Sequence, residues 1–88
     1  MLNPAERKAL KARAHKLEPV VMIGGKGLTG EVIAEIDRAL AAHELVKVRA
    51  AGLEREAREQ ALCAICQRTA AEPVQQVGKI FVIFRKNP

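Results

Sequence analysis

The chain has 88 residues, is 49% hydrophobic and is basic, with 15 Lys+Arg against 10 Asp+Glu and a formal net charge of +5 at pH 7. A chain of this size buries only roughly 60–65% of its unfolded surface, which excludes two separately folded domains and leaves little room for an enclosed catalytic pocket, so a single binding domain over residues 1–88 is expected. No apolar run approaches the roughly 20 residues of a bilayer span and Met1-Leu2-Asn3-Pro4 does not open a leader, which points to a cytoplasmic protein with no membrane partner.

The first element is predicted as a helix from about Pro4 to Lys16, with Asn3 as N-cap, Pro4 at the first helical position and Glu6 three residues after the cap. Leu10, Ala14 and Leu17 share one face, while Arg7, Lys8, Lys11, Arg13, His15 and Lys16 form a cationic belt around the rest. Pro19 disfavours helix through Glu18, and Val20 to Ile23 reads as a short buried strand, too apolar for a sheet edge. The glycine turn Gly24-Gly25-Lys26-Gly27 follows. Thr29 is the predicted N-cap of a second helix from about Gly30 to His43, with Glu31 in its first turn and Val32, Ile33, Ile36, Ala39 and Leu40 as its apolar stripe.

Leu45 to Ala50 alternates, placing Val46, Val48 and Ala50 on a buried side and Leu45, Lys47 and Arg49 on a largely wet, cationic one. Gly52 breaks the pattern. A third helix is expected from Leu53 to about Ala70, with Ala61, Leu62, Ile65, Cys66 and Thr69 inward, Arg55, Arg58 and Glu59 outward, and Pro73 ending it. Val74 to Val77 and Ile80 to Arg85 read as strands joined by Gly78-Lys79, a glycine-first pair suited to a type II′ hairpin, and Lys86 to Pro88 as a loose end. The order α-β-α-β-α-β-β calls for a compact α/β sandwich: a four-stranded mixed sheet with crossover helices, closed by an antiparallel hairpin, with every apolar stripe spent on one core.

The motif that carries chemistry is Gly24-Gly25-Lys26-Gly27. A strand delivers it, bare glycine backbone allows close approach of a ligand, the following helix presents free N–H groups and its positive dipole end, and Lys26 adds a mobile charge. That geometry suits phosphate. Residues 1–30 carry six cations against two anions, residues 31–60 five against seven, and residues 61–88 four against one, a segregation expected of a protein that lays one face on a polyanion. The rival is a nucleotide- or dinucleotide-binding protein, since Gly25-Lys26-Gly27-Leu28-Thr29-Gly30 matches G-x-G-x-x-G between a strand and a helix. Against it, the second strand ends in Lys47 and Arg49 with no ribose-binding carboxylate before Glu54, and a Walker loop lacks its G-K-[ST]. A turn that only reverses the chain would not need three glycines in four positions.

Cys63 and Cys66 form C-x-x-C, but mid-helix, where no helix N-terminus lowers a thiol pKa; they are expected as reduced, buried small hydrophobes. Zinc would need two further ligands, and His15 and His43, both near helix C-termini, have no nucleophile or orienting carboxylate in a recognisable pattern, so neither a metal site nor catalysis is expected. Glu54, Glu56 and Glu59 read as a solvated helix face paired with Arg55 and Arg58. Phe81 and Phe84 are the only aromatic residues and fit a core strand, so recognition is expected to act through phosphates, backbone N–H groups and shape, with folded RNA favoured over a bare strand.

These residues together resemble a known family, the CRM (chloroplast RNA splicing and ribosome maturation) domain, whose stand-alone bacterial members are called YhbY-like. The resemblance runs nearly end to end: Ala14-His15, Leu17 and Pro19-Val20; Ile23-Gly24-Gly25-Lys26-Gly27-Leu28-Thr29; Ile36 with Ala39-Leu40; His43-Glu44-Leu45-Val46-Lys47-Val48; and Val77-Gly78-Lys79 before an apolar strand. It implies a fold similar to the C-terminal domain of bacterial translation initiation factor three, a G-x-x-G loop on RNA, and association with ribosomal RNA in precursors of the large ribosomal subunit. The expected RNA-binding set is Gly24, Gly25, Lys26, Gly27 and Thr29 in and after the loop, Lys8, Lys11, Arg13, His15 and Lys16 on the first helix, and Lys47 and Arg49 on the second strand. No cofactor, metal or small-molecule substrate is expected.

Overall fold

Local signals place most of the elements where the side chains ask for them. In the computed structural model, which describes residues 2–88, these are α1 (Pro4–Ala14), β1 (Val21–Met22), α2 (Gly30–His43), β2 (Leu45–Arg49), α3 (Arg55–Thr69), β3 (Glu72–Val77) and β4 (Ile80–Phe84). A full capping box starts α1: the Asn3 side chain accepts the Glu6 N–H at 2.8 Å and the Glu6 carboxylate accepts the Asn3 N–H at 3.4 Å. Thr29 Oγ1 accepts the Val32 N–H at 3.2 Å, which fixes the start of α2 at the predicted residue.

The four strands form one mixed sheet in the order β1-β2-β4-β3. β1 runs parallel to β2, with Val21 opposite Val48 and Met22 opposite Arg49. β4 is inserted antiparallel between β2 and β3, pairing Val48 with Phe81 and Arg49 with Ile80. A two-residue loop, Gly78-Lys79, joins β3 to β4, with Gly78 at φ +56 and Lys79 outside the positive-φ region, as a type II′ turn requires.

The sheet separates two hydrophobic clusters, not the single one expected. The larger lies under α2 and α3 and includes Ile36, Leu40, Val48, Ile65, Phe81 and Ile83. On the opposite face α1 covers a smaller cluster of Leu10, Ala14, Leu45, Val74 and Val82, with Phe84 against it. Period-2 alternation divides β2 and β4 between these clusters, so Leu45, assigned to the wet side from sequence, is buried under α1.

Other expectations are corrected by tertiary structure. β1 lies at the sheet edge, its apolar character notwithstanding: Val21 and Ile23 enter the large cluster, but Val20 and Met22 point to the α1 face and are exposed. α1 stops at Ala14, leaving Leu17 exposed beyond the helix. α3 begins at Arg55 and is stopped by Ala70 in the left-handed conformation (φ 58, ψ 27), so Pro73 does not end it but lies inside β3, beside the register shift between Pro73 and Gln75. Arg58 is half-buried and donates to the Leu53 carbonyl at 2.9 Å. The last residues are tied down: the Asn87 side chain donates to the carbonyls of Leu40 (3.3 Å) and Ala41 (2.8 Å), closing the C-terminal end of α2, and its N–H donates to Glu44.

Candidate nucleic-acid interface

The glycine loop leaves the C-terminal end of β1 as a tight turn in which the Gly27 N–H donates to the Gly24 carbonyl at 3.0 Å. Gly27 has φ +76, a conformation that an L side chain strains, so glycine here is a demand of the turn itself. Gly24 and Gly25 are different: a Cβ on either would meet no atom within 4 Å, so the fold leaves both positions sterically open. Among the described residues no acceptor bonds the N–H groups of Gly25 and Lys26, and the Lys26 side chain is exposed. Bare backbone with free donors beside a cation suits an anionic ligand arriving from outside.

Gly52, read in sequence only as a strand breaker, supports this loop. A Cβ there would lie 2.4 Å from Gly24 C, 2.6 Å from its carbonyl oxygen and 2.6 Å from Gly25 N, so the Gly24-Gly25 peptide rests directly on the backbone of residue 52. The Gly52 N–H also donates to the Ile23 carbonyl at 3.3 Å. No local pattern signals this, because the partners are 28 residues apart in the chain. Thr29 is half-buried, with its hydroxyl engaged as the α2 cap; it positions the helix N-terminus behind the loop.

The cations on α1 and just beyond its end divide between the two flanks of that helix. Lys11 and His15 line one groove of about 330 Å³ against Gln75, Val77 and Ile80 of the β3–β4 hairpin. Arg13 and Lys16 line another, of about 350 Å³, with Leu17, Val20 and His43 on the β1 side. Lys47 belongs to both grooves and joins them; its Nζ donates to the Leu17 carbonyl at 3.0 Å, fixing the chain as it leaves α1. Lys8 is exposed and lines neither groove. Arg49 lies two residues beyond Lys47 on the same face, exposed, three residues before Gly52 and opposite Met22, which itself lies two residues before Gly24. Lys79, absent from the expected set, stands at this end of the sheet, its carbonyl accepting the Ala50 N–H at 2.7 Å. Finding Met22 and Lys79 beforehand would have required the strand order.

The dinucleotide alternative loses support from topology. Such sites use a crevice between neighbouring parallel strands where the strand order reverses, whereas β1 is an edge strand with β2 as its one neighbour. The cysteines also differ from expectation: Cys63 is exposed, and only Cys66 is partly covered. Burial, with smaller contributions from Cys63 and Glu72, pushes the Cys66 thiol up to about 11, the opposite of what a redox cysteine needs. No helix among the described residues is long and apolar enough to cross a membrane.

A three-helix, four-stranded α/β unit with a glycine loop at the edge strand and a cationic sheet face defines the class. Its relatives agree: the family model of the CRS1/YhbY (CRM) domain matches residues 2–85, and the chain belongs to that family. A Haemophilus influenzae protein named as an RNA-binding protein is 48% identical over 84 residues, 96% of this chain and 85% of the relative. A Pseudomonas aeruginosa protein named as a probable RNA-binding protein is 40% identical over 99% of this chain and 84% of its own length. The solution structure of a hypothetical Staphylococcus aureus protein, described as a candidate RNA-binding protein, superposes with a TM-score of 0.87 at 28% identity, covering 100% of this chain and 92% of that one.

Proposed function

We propose that this chain is a non-catalytic RNA-binding protein that associates with ribosomal RNA in precursors of the large ribosomal subunit and assists their assembly. The observation that carries the RNA reading is the loop: Gly24 and Gly25 leave open space, the N–H groups of Gly25 and Lys26 have no acceptor among the described residues, and Gly52 holds the backbone in place beneath them. The loop N–H groups donate to the RNA backbone, while Lys26, Lys47, Arg49, the α1 cations Lys8, Lys11 and Arg13, and His15 and Lys16 just beyond the helix neutralise or contact nearby phosphates. The names of the relatives support RNA as the ligand. The choice of ribosomal RNA rests on the resemblance to stand-alone bacterial members of the family.

Sedimentation of cell extract on sucrose gradients at low and raised salt tests this. Co-migration with large-subunit particles at low salt, lost in a Gly25→Ala/Lys26→Glu variant, is the expected result. A protein found only at the top of the gradient even at low salt overturns the ribosomal assignment.

A further inference from the structure

α1 covers only one end of its sheet face, and the open end carries a row that crosses all four strands. Met22 pairs with Arg49, Arg49 with Ile80, and Ile80 with Val77, so four side chains stand side by side across three strand spacings, about 14 Å. Met22 is 64% exposed and Val77 56%, on a chain whose other apolar strand residues are mostly buried. The adjacent row on the same face pairs Lys47 with Val82 and Val82 with Gln75, and beside it Val20 is 55% exposed. No position of either row holds an Asp or Glu. The surface is apolar and cationic at once, and it lies between the Gly24–Gly27 loop and the Lys11/His15 flank of α1.

We propose that this row is a platform for unpaired bases, so that the RNA taken by this protein carries single-stranded nucleotides next to the backbone held by the loop. The inference rests on the RNA-binding reading above and adds the form of the RNA. Phosphate neutralisation explains Lys47 and Arg49 but gives no reason to expose Met22 and Val77 beside them. A regular duplex offers those side chains nothing, because its base faces are stacked on one another and only polar edges and backbone are accessible. Unpaired bases present flat apolar faces. A four-stranded sheet is wide enough to carry two or three of them, the Arg49 guanidinium plane can stack on one, and the unbranched Met22 thioether adapts to any base without demanding a sequence. The positive charge of the face and the absence of carboxylates in the two rows complement a polyanion and repel a basic protein surface.

The test compares a blunt RNA duplex with a hairpin of equal phosphate number that carries an unpaired loop, titrated at one salt concentration with wild type, the Met22→Ser/Val77→Ser variant and Arg49→Lys. Wild type should bind the looped RNA more tightly. The serine variant should lose about tenfold on the looped RNA and less than about twofold on the duplex, with an unchanged salt slope. Arg49→Lys keeps the charge and removes the guanidinium plane, so it should weaken binding of the looped RNA more than binding of the duplex. Both substituted apolar side chains are more than half exposed, and a thermal melt matching wild type verifies the fold. Equal losses on both RNAs, or no loss on either, overturn the platform; the second result would turn attention to a protein partner for this face. Wild type binding neither RNA would overturn the RNA reading itself.

Discussion

The two faces of the sheet are made from the same strands and have opposite fates. Under α2 and α3, Ile36, Leu40, Val48, Ile65, Phe81 and Ile83 are fully buried, and the covering helices carry five of the ten acidic residues of the chain. Under α1, an 11-residue helix, coverage ends partway, leaving Val20, Met22 and Val77 exposed beside Lys47 and Arg49. The first face is closed and contributes stability. The second is incomplete by itself, and the loop that leaves its edge strand is held by a glycine contact from the β2–α3 connection. The difference teaches that the proposed RNA-binding surface sits where a layer of the fold is missing, beside the cations Lys47 and Arg49.

The comparison breaks if the closed face proves dispensable or the open face structural. Phe81→Ala, at the centre of the closed face, should cost about 3–5 kcal/mol in denaturant unfolding, whereas Met22→Ser should stay within about 0.5 kcal/mol. A Met22→Ser loss of similar size to Phe81→Ala would mean that the open face is part of the core. The cationic face should make RNA affinity fall roughly 10³-fold between low and moderate salt if about six phosphates are neutralised, measured by fluorescence anisotropy; salt-insensitive binding would contradict the electrostatic mechanism.

The loop sharpens the same contrast at a finer scale. Gly52→Ala places a Cβ 2.4 Å from the Gly24 backbone and should cost about 1–3 kcal/mol of stability along with RNA affinity, because neither backbone segment can give way cheaply. Gly25→Ala meets nothing in the free protein, so it should leave the melting temperature unchanged and weaken binding alone. Equal melting-temperature losses in the two variants would remove the distinction between a glycine kept for the fold and one kept for the ligand. Lys26→Glu should have the smallest effect, about tenfold weaker binding, spread evenly over RNA sequences. A change confined to one sequence would indicate base reading by the loop in place of phosphate contact.

Features written in short stretches of chain were legible. The Asn3–Glu6 capping box, the Thr29 cap and the Gly78-Lys79 turn each depend on residues within three or four positions of one another, and each occurs as expected. Phe81 was correctly assigned to the core from its β-branched neighbours. Errors gathered where partners are distant. Val20 to Ile23 looks like an interior strand because apolar content reports burial on average, yet only alternate residues of β1 are covered. Lys86 to Pro88 looks loose, yet Asn87 closes α2 through carbonyls 46 and 47 positions away. The candidate RNA set was legible as residue types, whereas the division of Arg13 and Lys16 from Lys11 and His15 by the body of α1 was not.

The sequence by itself determined the seven elements and their order, the loop with its free glycines, and the excess of positive charge, because capping, turn chemistry and periodicity act over a few residues. Tertiary structure alone decided that β4 inserts between β2 and β3, that β1 takes the edge, that Gly52 backs the loop, and that Met22, Arg49, Ile80 and Val77 form one row. The reason is physical: strand order and register are set by which long-range pairing buries the most apolar surface, a comparison between whole arrangements of the chain that no short segment encodes.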